Sequence, residues 1–410
     1  MNGLFGLSRL PRHLVLGRGQ RRALANYAAD LGRRALIVTD ERMAHDAACA
    51  TLVDDLRRRG LATEVFAGTI AELPAESILS GLASAEAFGA DVLVGLGGGS
   101  CMDAAKIIGV LLAHGGPISD YYGEFKVPGP IAPVVAVPTT SGTGSEVTPV
   151  AVVSDPDRAV KVGIASPHLI PQVAICDPEL TDSCPPALTA VSGADALTHA
   201  IEAFTTLRRA PDPALTREHV FVGKNAFSDH HALEAIRLIG ASLKRAYDDG
   251  SDTRARDMLM TGATLAGLAF GVAGTAAAHA VQYPVGALTH TPHGAGVAVM
   301  LPYVMQLNRS HAEAEMAEVA LALGAGRANG TTAELAQAAI EAVATLFASI
   351  GIPATLRDLG LPEDKLDWTA ESSMGAARLV KNNPRTLDLA LMQRLVRAAF
   401  GGNRISLSQG

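Results

Sequence analysis

Four side chains in the C-terminal half of the chain have the chemistry of transition-metal ligands. Asp195 and His199 are four residues apart, so on a helix both project from one face and can reach the same ion. His279 and His293 follow in apolar stretches bounded by glycine; a lone histidine is more often a hydrogen-bonded core residue, but this set favours a metal site. Three imidazoles and one carboxylate suit Fe(II) or Zn(II) acting as a Lewis acid. Glu202, on the same predicted helix face, could orient one of these ligands.

A second chemical signal is the glycine-rich turn at 95–100, between the predicted strand 92–94 and a predicted helix that begins at Met102. A buried strand that ends in glycines and opens a helix brings backbone N–H groups close to a phosphate, and the helix dipole adds attraction. The alternative is an ordinary tight turn. Because strand and helix are both in place, we predict phosphate binding here.

Polar residues follow two further predicted strands. Asp40 comes directly after 36–39, where an acidic side chain can accept hydrogen bonds from an adenosine ribose and favour NAD over NADP. Helix N-capping explains an aspartate at this position equally well, and both interpretations stay open. The segment 138–146, rich in hydroxyls and glycine, is either a ligand-binding loop or a polar loop that caps the next helix. Its place after a strand favours ligand binding.

The elements that must position these residues change in character along the chain. Up to residue 185, short β-like runs alternate with helical patterns, which predicts βαβ units and a largely parallel sheet. The predicted strands are 14–16, 35–38, 92–94, 134–137 and, more weakly, 173–175, and the helical patterns include 21–31, 48–59 and 75–88. Long Ala/Leu-rich helical patterns then take over, at 187–205, 230–247, 254–270, 312–323, 332–350 and 386–400. We therefore predict an α/β dinucleotide-binding domain over 1–185 and an all-helical metal-binding, catalytic domain over 186–410.

Length and composition agree with a two-domain enzyme. The chain has 410 residues, more than the roughly 250–300 at which a single core stops growing. A hydrophobic content of 48% argues against intrinsic disorder, and a net charge of −7 gives no reason to expect a nucleic-acid partner. Long apolar helices are compatible with a homo-oligomer, whose size the composition does not fix. The polar stretch 208–228 is interpreted as a surface loop or insertion.

The sequence favours a cytoplasmic protein without a membrane partner. The four cysteines are scattered without a CxxC pair, which argues against a disulfide framework or a thiolate zinc site. No apolar run reaches the roughly 18 residues needed to cross a bilayer. The N-terminus is rich in arginine and has no acidic residue before Asp30, as in a transit peptide. We favour the structural interpretation, because 14–16 followed by glycines predicts a first strand and turn that lead directly into the helical pattern 21–31.

Taken together, these motifs resemble the iron-containing (group III) alcohol dehydrogenases, within the dehydroquinate synthase-like fold. The resemblance covers nearly the whole chain. It rests on GGGSCMDAAK (97–106), PTTSGTGSEVT (138–148), KVGIASPHLIPQVAICDPELT (161–181), DALTHAIEAF (195–204) and HAVQYPVGALTHTPHG (279–294). It implies an NAD-dependent oxidoreductase in which Fe²⁺, with Zn²⁺ as the alternative, assists the interconversion of a small primary alcohol and its aldehyde.

The resemblance also implies roles for individual residues. The residues that would bind the cofactor pyrophosphate are Gly98, Gly99, Ser100 and Asp103, and Asp40 would bind the adenosine ribose. The rest of the dinucleotide would be lined by Thr139, Thr140, Thr148, Lys161 and Leu180. The four metal ligands would be Asp195, His199, His279 and His293. Tyr283 and Lys161 are the candidate catalytic residues; a cofactor ribose or water are further routes for the proton.

Two features depart from the common family pattern. Tyr283 stands where many members carry a histidine assigned to proton relay, and tyrosine is a poor base near neutrality, with a reference pKa of about 10. An insertion lies around 212–229. Both resemble the hydroxyacid–oxoacid transhydrogenase branch, whereas Thr291–Gly294 resembles the ordinary alcohol dehydrogenases.

Two alternative functions follow. A transhydrogenase would retain NAD and oxidise a hydroxyacid such as 4-hydroxybutyrate, and it would need a cationic carboxylate anchor. The insertion offers Arg217 and Lys224, for which solvation at the surface is the simpler role. A lyase similar to dehydroquinate synthase would need several Lys or Arg near the metal. The helical half is poor in them around Asp195 and His279, so this alternative ranks below.

Overall fold

The computed structural model describes residues 4–155, 161–327 and 329–408. They divide into two compact units. The α/β unit comprises 9–183 and 214–220, and the helical unit comprises the described residues of 4–8, 184–213 and 221–408. The predicted single boundary after residue 185 assigns two short segments to the other unit: 4–8 belong to the helical unit and 214–220 to the α/β unit. The functions assigned to the two domains stay predictions.

The strands of the α/β unit are apolar and mostly short. They are β1 (His13–Leu16), β2 (Arg34–Val38), β3 (Ala62–Phe66), β4 (Val92–Gly97), β5 (Gly123–Glu124), β6 (Val134–Pro138), β7 (Val150–Val153), β8 (Val162–Ala165) and β9 (Val173–Cys176). In the described residues, one parallel sheet has the order β1-β9-β6-β4-β2-β3. A small sheet has the order β5-β8-β7, with β7 and β8 antiparallel. Every predicted strand is present, and the predicted α/β fold class is confirmed.

Helices cover both faces of the parallel sheet. They are α1 (Leu24–Leu31), α2 (Glu41–Ala44), α3 (Ala47–Arg58), α4 (Ala75–Phe88) and α5 (Gly99–His114). Successive side chains of a strand point to opposite faces, and β2 shows this directly: Leu36 and Val38 enter one buried apolar cluster, whereas Ala35 and Ile37 enter another. The two-sided burial explains why these strands are almost purely apolar.

The remaining helices, apart from one short turn, build the helical unit. They are α6 (Pro186–Thr205), α7 (Leu215–Glu218, in the α/β unit), α8 (Ala226–Asp248), α9 (Thr253–Ala273), α10 (Ala277–Thr289), α11 (His293–Asn308), α12 (Glu313–Ala322), α13 (Thr332–Ser349), α14 (Leu366–Met374), α15 (Ala377–Asn382) and α16 (Leu389–Gly401). Within the described residues no single helix has the length and composition to span a membrane; α9 and α10 pass that test only as a pair, which is bent by 102°.

The segment 208–228 is a surface loop only in its first half, where residues 210–213 are exposed. Its second half is buried: Val220, Val222 and Asn225 are at most 1% exposed. A β-bridge between Arg208 and Gly223 brings the two ends of the segment together, and a capping box of Asn225 and Ser228 starts α8. The interpretation as a surface loop is therefore wrong for this half. The buried polar groups are accommodated because local hydrogen bonds satisfy them.

Candidate metal centre and dinucleotide site

The first two predicted metal ligands lie on α6. Residues 193–205 of this helix are buried throughout, so its polar side chains are enclosed by protein rather than solvated. Asp195 and His199, one helical turn apart, bring the His199 Nε2 atom to 3.7 Å from the Asp195 Oδ1 atom. The i, i+4 spacing in the sequence is thus realised as a pair of side chains on one helix face.

The other two predicted ligands come from α10 and α11 to the same carboxylate oxygen. His279 Nε2 lies 3.7 Å and His293 Nε2 3.9 Å from Asp195 Oδ1. The potential ligand atoms of Asp195, His199 and His279 all lie within 4.8 Å of one another. The structure thus brings together four side chains that the sequence separates by up to 98 positions.

Ring stacking fixes the planes of two of these imidazoles. The His199 ring lies between two other rings of the helical unit. Its centroid is 4.2 Å from that of Phe270, with an interplanar angle of 17°, and 4.7 Å from that of His279, with an angle of 23°. Phe270 closes one side of the cluster with apolar surface, which strengthens electrostatic interactions inside it.

Glu202 determines which nitrogen of His279 faces the cluster. Its Oε2 atom is 2.6 Å from His279 Nδ1. A carboxylate only accepts hydrogen bonds, so Nδ1 carries the proton and Nε2 keeps its lone pair. That Nε2 atom is buried and has no hydrogen-bond partner among the described residues. A buried lone pair beside a carboxylate and further imidazoles fits a divalent transition-metal ion.

Tyr283 lies one turn after His279 on α10 and next to the fourth predicted ligand. Its ring centroid is 6.4 Å from that of His293. The side chain is partly exposed, whereas His279 is buried. Tyr283 therefore lies at the partly exposed rim of the cluster, beside His293.

Gln282, which the sequence analysis missed, fills the space between α10 and α11. It is 2% exposed, and its amide packs against the backbone of Gly286 and Gly296. A methyl group added at Gly296 would overlap the Gln282 Oε1 atom. The only sequence signal is this pair of glycines, which belong to different helices. Their role becomes visible once α10 and α11 are packed together.

Gly296→Ala is expected to lower the free energy of unfolding by about 2 kcal/mol, because the enclosed Gln282 amide must move to make room. Chemical denaturation measures the change. Gly401→Ala is the matched control: that helical glycine has open space around it, so the substitution is expected to be neutral or slightly stabilising. Adding Gln282→Ala to Gly296→Ala should recover most of the loss. Equal stability of the Gly296 and Gly401 variants would contradict the prediction.

The predicted dinucleotide-binding segments of the α/β unit follow three neighbouring strands. Asp40 comes after β2, the glycine turn after β4, and the hydroxyl-rich segment after β6. These strands are parallel neighbours, with Val38 paired to Gly95 and Gly97 to Pro138. Their carboxyl ends meet at one edge of the sheet, where α/β proteins bind ligands.

The glycine turn provides an accessible helix N-terminus. Gly97 has φ of +149°, and a Cβ atom there would lie 2.5 Å from Cys101 Sγ. Gly98 caps α5 without a side chain, and residues 98–100 are partly exposed. A Cβ atom on Gly99 would lie 2.8 Å from Thr143 Cγ2, so the hydroxyl-rich segment packs against this turn. The N–H groups of the first turn, which have no partner within a helix, suit a phosphate.

The helix-capping explanation of Asp40 is realised in the structure. Its Oδ1 atom accepts a hydrogen bond from Met43 N at 2.8 Å and caps α2. The Oδ2 atom lies 3.8 Å from Cys101 Sγ, beside the glycine turn. Burial, followed by the negative charge of Asp40, raises the pKa of the Cys101 thiol to about 12. Because Oδ1 caps the helix and Oδ2 remains beside the glycine turn, Asp40 can cap α2 and bind a ribose at the same time.

Two other predicted cofactor residues link α5 to the segment 145–152 of the same unit. Asp103 accepts hydrogen bonds from Ser145 Oγ at 2.5 Å and Val152 N at 2.9 Å. The Thr148 carbonyl accepts a bond at 3.1 Å from the ammonium of Lys106, whose pKa burial lowers to about 8.

The other predicted positions of this set differ in exposure and contacts. The Lys161 ammonium pairs with the Glu72 carboxylate. Thr139 and Leu180 are 3% and 6% exposed, respectively, and Thr140 is partly exposed. The cofactor roles of all these residues stay predictions.

Comparisons with known proteins decide the family. Residues 11–178 match the family Iron-containing alcohol dehydrogenase, and residues 189–400 match the C-terminal part of the Fe-containing alcohol dehydrogenase family. The chain belongs to the iron-containing alcohol dehydrogenases. It is 36% identical to long-chain-alcohol dehydrogenase 1 of Geobacillus thermodenitrificans (strain NG80-2), over 90% of this chain and 89% of that protein.

Solved structures agree. A 1,3-propanediol oxidoreductase is similar with a TM-score of 0.90 and 33% identity, over 97% of this chain and 100% of that one. Sulfoacetaldehyde reductase from Bifidobacterium kashiwanohense in complex with NAD⁺ has a TM-score of 0.83 and 26% identity, over 97% and 99%. The predicted enzyme class, an oxidoreductase acting on CH–OH groups, is confirmed, and iron and NAD are the cofactors of the family. The transhydrogenase branch is not favoured.

Proposed function

We propose that this chain interconverts a small primary alcohol and its aldehyde with NAD, and that the reaction takes place at the cluster of Asp195, His199, His279 and His293. The observation that carries the proposal is the convergence of three imidazoles within 3.9 Å of the Asp195 carboxylate. Asp195, His199 and His279 are buried, His293 is partly exposed, and His279 Nε2 has no hydrogen-bond partner among the described residues. This set of nitrogen and oxygen atoms is the donor set of an iron or zinc site.

The four residues would hold Fe²⁺, or Zn²⁺ as the alternative, and the bound ion would supply Lewis-acid polarisation of the substrate oxygen. The protein's own contribution is to keep the donor atoms in the correct protonation state. Glu202 retains the proton on His279 Nδ1, and Phe270 restricts the His199 ring. Both contacts reduce the reorganisation that binding would otherwise require.

For NAD, we propose that the backbone N–H groups of the turn at Gly98, Gly99 and Ser100 bind the pyrophosphate. The partial exposure of these residues and their place at the start of α5 support this. Asp40 would accept hydrogen bonds from the adenosine ribose through Oδ2. The remaining predicted contacts are Asp103, Thr139, Thr140, Thr148, Lys161 and Leu180. Asp103 and Thr148 support the site by linking α5 to the segment 145–152.

Oxidation of the alcohol transfers a hydride from the carbinol carbon to NAD⁺ and releases the hydroxyl proton, giving aldehyde, NADH and H⁺. Tyr283 is our candidate for passing that proton, supported by its place at the rim beside His293. With a reference pKa of about 10, its hydroxyl relays a proton rather than removing one as a base. Lys161 is the second candidate, and its ammonium is engaged by Glu72.

The transhydrogenase alternative has no carboxylate anchor in the insertion. Arg217 is exposed, as its simpler role in solvation at the surface predicts. Lys224 is neither solvated nor available, which corrects its interpretation as a surface residue: its ammonium lies 3.0 Å from Glu315, 3.6 Å from Asp229 and over the ring of Phe204. No observation favours the lyase alternative.

A cytoplasmic location and a homo-oligomer complete the proposal. The scattered cysteines support a reducing compartment, and the long apolar helices support association. The proposal needs no nucleic-acid or membrane partner. Its small-molecule partner is an alcohol or aldehyde.

The decisive test follows NADH absorbance with anaerobically iron-loaded protein. Short primary alcohols, diols and 4-hydroxybutyrate are each supplied with and without 2-oxoglutarate. Steady NADH formation from a plain alcohol is the expected result and names the substrate class. Product formed from 4-hydroxybutyrate and 2-oxoglutarate without added NAD, and no turnover of alcohols, would replace the proposal by a transhydrogenase.

A further inference from the structure

Glu202, on α6, contacts the start of α10. Its carboxylate accepts three N–H groups: Ala276 N at 2.9 Å, Ala278 N at 2.7 Å and His279 Nδ1 at 2.6 Å. The side chain is 2% exposed. Three donors on one buried carboxylate make an arrangement that an amide of the same shape cannot reproduce, because a glutamine has a single acceptor oxygen.

In the corner between α9 and α10, the backbone N–H groups and the backbone carbonyl groups have different side-chain partners. Its N–H groups at Ala276 and Ala278 point to Glu202, whereas its carbonyl groups at Ala273 and Thr275 accept hydrogen bonds from Asn382 Nδ2, at 2.9 and 3.1 Å. An acceptor-only carboxylate therefore serves the donors and an amide nitrogen serves the acceptors. The Asn382 contacts hold the corner independently of Glu202, so a change at Glu202 leaves the corner supported.

The spacing on α6 places Glu202 on the helix face that carries Asp195 and His199. It lies three residues after His199 and seven after Asp195, on the same helix face. Through its bond to Nδ1 it fixes both the tautomer and the rotation of the His279 ring, whose Nε2 atom lies 3.7 Å from Asp195 Oδ1. One buried carboxylate thus links the helix that carries two ligands to the helix that carries the third.

We propose that Glu202 is a positioning residue of the metal centre: it selects the His279 tautomer that binds metal through Nε2 and sets the distance between α6 and α10 at the site. The inference rests on the metal centre proposed above. Its expected signature is a weakened metal affinity with little loss of fold, because groups that hydrogen-bond a ligating histidine contribute about 10- to 100-fold to metal affinity.

The test measures the dissociation constant of Zn²⁺ by competition with a chromophoric chelator, on metal-free full-length protein. Glu202→Gln is expected to weaken Zn²⁺ binding about 10- to 100-fold. The matched control is Thr205→Val on the same helix. Thr205 is buried, and its hydroxyl donates within the helix to the Ile201 carbonyl at 2.8 Å and the Glu202 carbonyl at 3.5 Å. Thr205→Val is expected to keep the wild-type constant. Thermal unfolding of each metal-free protein separates metal affinity from stability.

An unchanged Zn²⁺ constant in Glu202→Gln, with or without a lower Tm, would overturn the inference and leave the metal centre standing. Absence of Zn²⁺ binding by the wild-type chain would instead overturn the centre, and the inference with it. If Glu202→Gln does not fold, Glu202→Asp replaces it: the charge is kept but the side chain is one methylene shorter. That variant is also expected to bind Zn²⁺ more weakly, and a wild-type constant would overturn the inference.

Discussion

His279→Ala is expected to lose bound metal and alcohol oxidation together, with activity reduced about 1,000-fold. His279 contributes the buried Nε2 atom of the cluster, and its removal also leaves the Glu202 carboxylate without the closest of its donors. Charge stabilisation by a metal is worth several kcal/mol, and each 1.36 kcal/mol is a factor of ten in rate. Metal analysis of the purified variant and NADH formation from a primary alcohol measure the two effects.

The control for this prediction is His311→Ala. His311 is an exposed histidine of the helical unit, outside the cluster, so its replacement is expected to change neither metal content nor activity. Circular dichroism checks that both variants are folded. A His279→Ala protein that retains both iron and dehydrogenase activity would refute the assignment of the site. Loss of activity with full metal content would place His279 outside the ligand set and leave the other three residues in question.

The strands around the dinucleotide segments were predictable because parallel strands buried on both faces are written as unbroken apolar runs. β4 and β6 are examples: each is buried along its entire length. β3 escaped prediction because it is an edge strand with Thr63 and Glu64 inside it, and its burial is only partial. The small sheet was not predicted because β5 has only two residues, and β7 and β8 are only half-buried.

The two helices that carry His279 and His293 were not predicted as helices. α10 contains Pro284 and α11 contains Pro302, and proline in a helix interior costs about 3 kcal/mol. Burial compensates, since every residue of 294–308 is buried. Local propensity therefore argues against the very helices that tertiary packing stabilises, and the histidines were recognisable by type before their elements were.

The burial of Lys224 and Gln282 could not be predicted from the sequence, because it depends on long-range contacts. Lys224 lies in a polar segment, but its ion-pair partner Glu315 is 91 positions away, and pairing is what allows the ammonium to be buried. Gln282 depends on Gly296, on the next helix. The role of Glu202 in orienting a metal ligand was predictable, because its spacing from His199 is helical. That it also binds the backbone of α10 required the fold.

Asp40→Asn is expected to lower the preference for NAD over NADP about 10- to 100-fold. Asparagine caps helices as well as aspartate does, so the cap on Met43 N is retained while the negative charge is removed. Juxtaposed like charges cost several kcal/mol and each 1.4 kcal/mol is a factor of ten in affinity, so removal of the charge next to a 2′-phosphate favours NADP. The ratio of kcat/KM for the two cofactors measures the change.

Asp46→Asn provides the matched control, because Asp46 caps the next helix, α3, through Ala48 N at 2.8 Å and is not at the end of a strand. The same chemical change at that cap is expected to leave the cofactor ratio unaltered. If Asp40→Asn behaves like Asp46→Asn, then Asp40 acts as a helix cap alone and the ribose is bound elsewhere. If only Asp40→Asn shifts the ratio, one aspartate performs both roles: Oδ1 caps α2, and Oδ2 beside the glycine turn selects the cofactor.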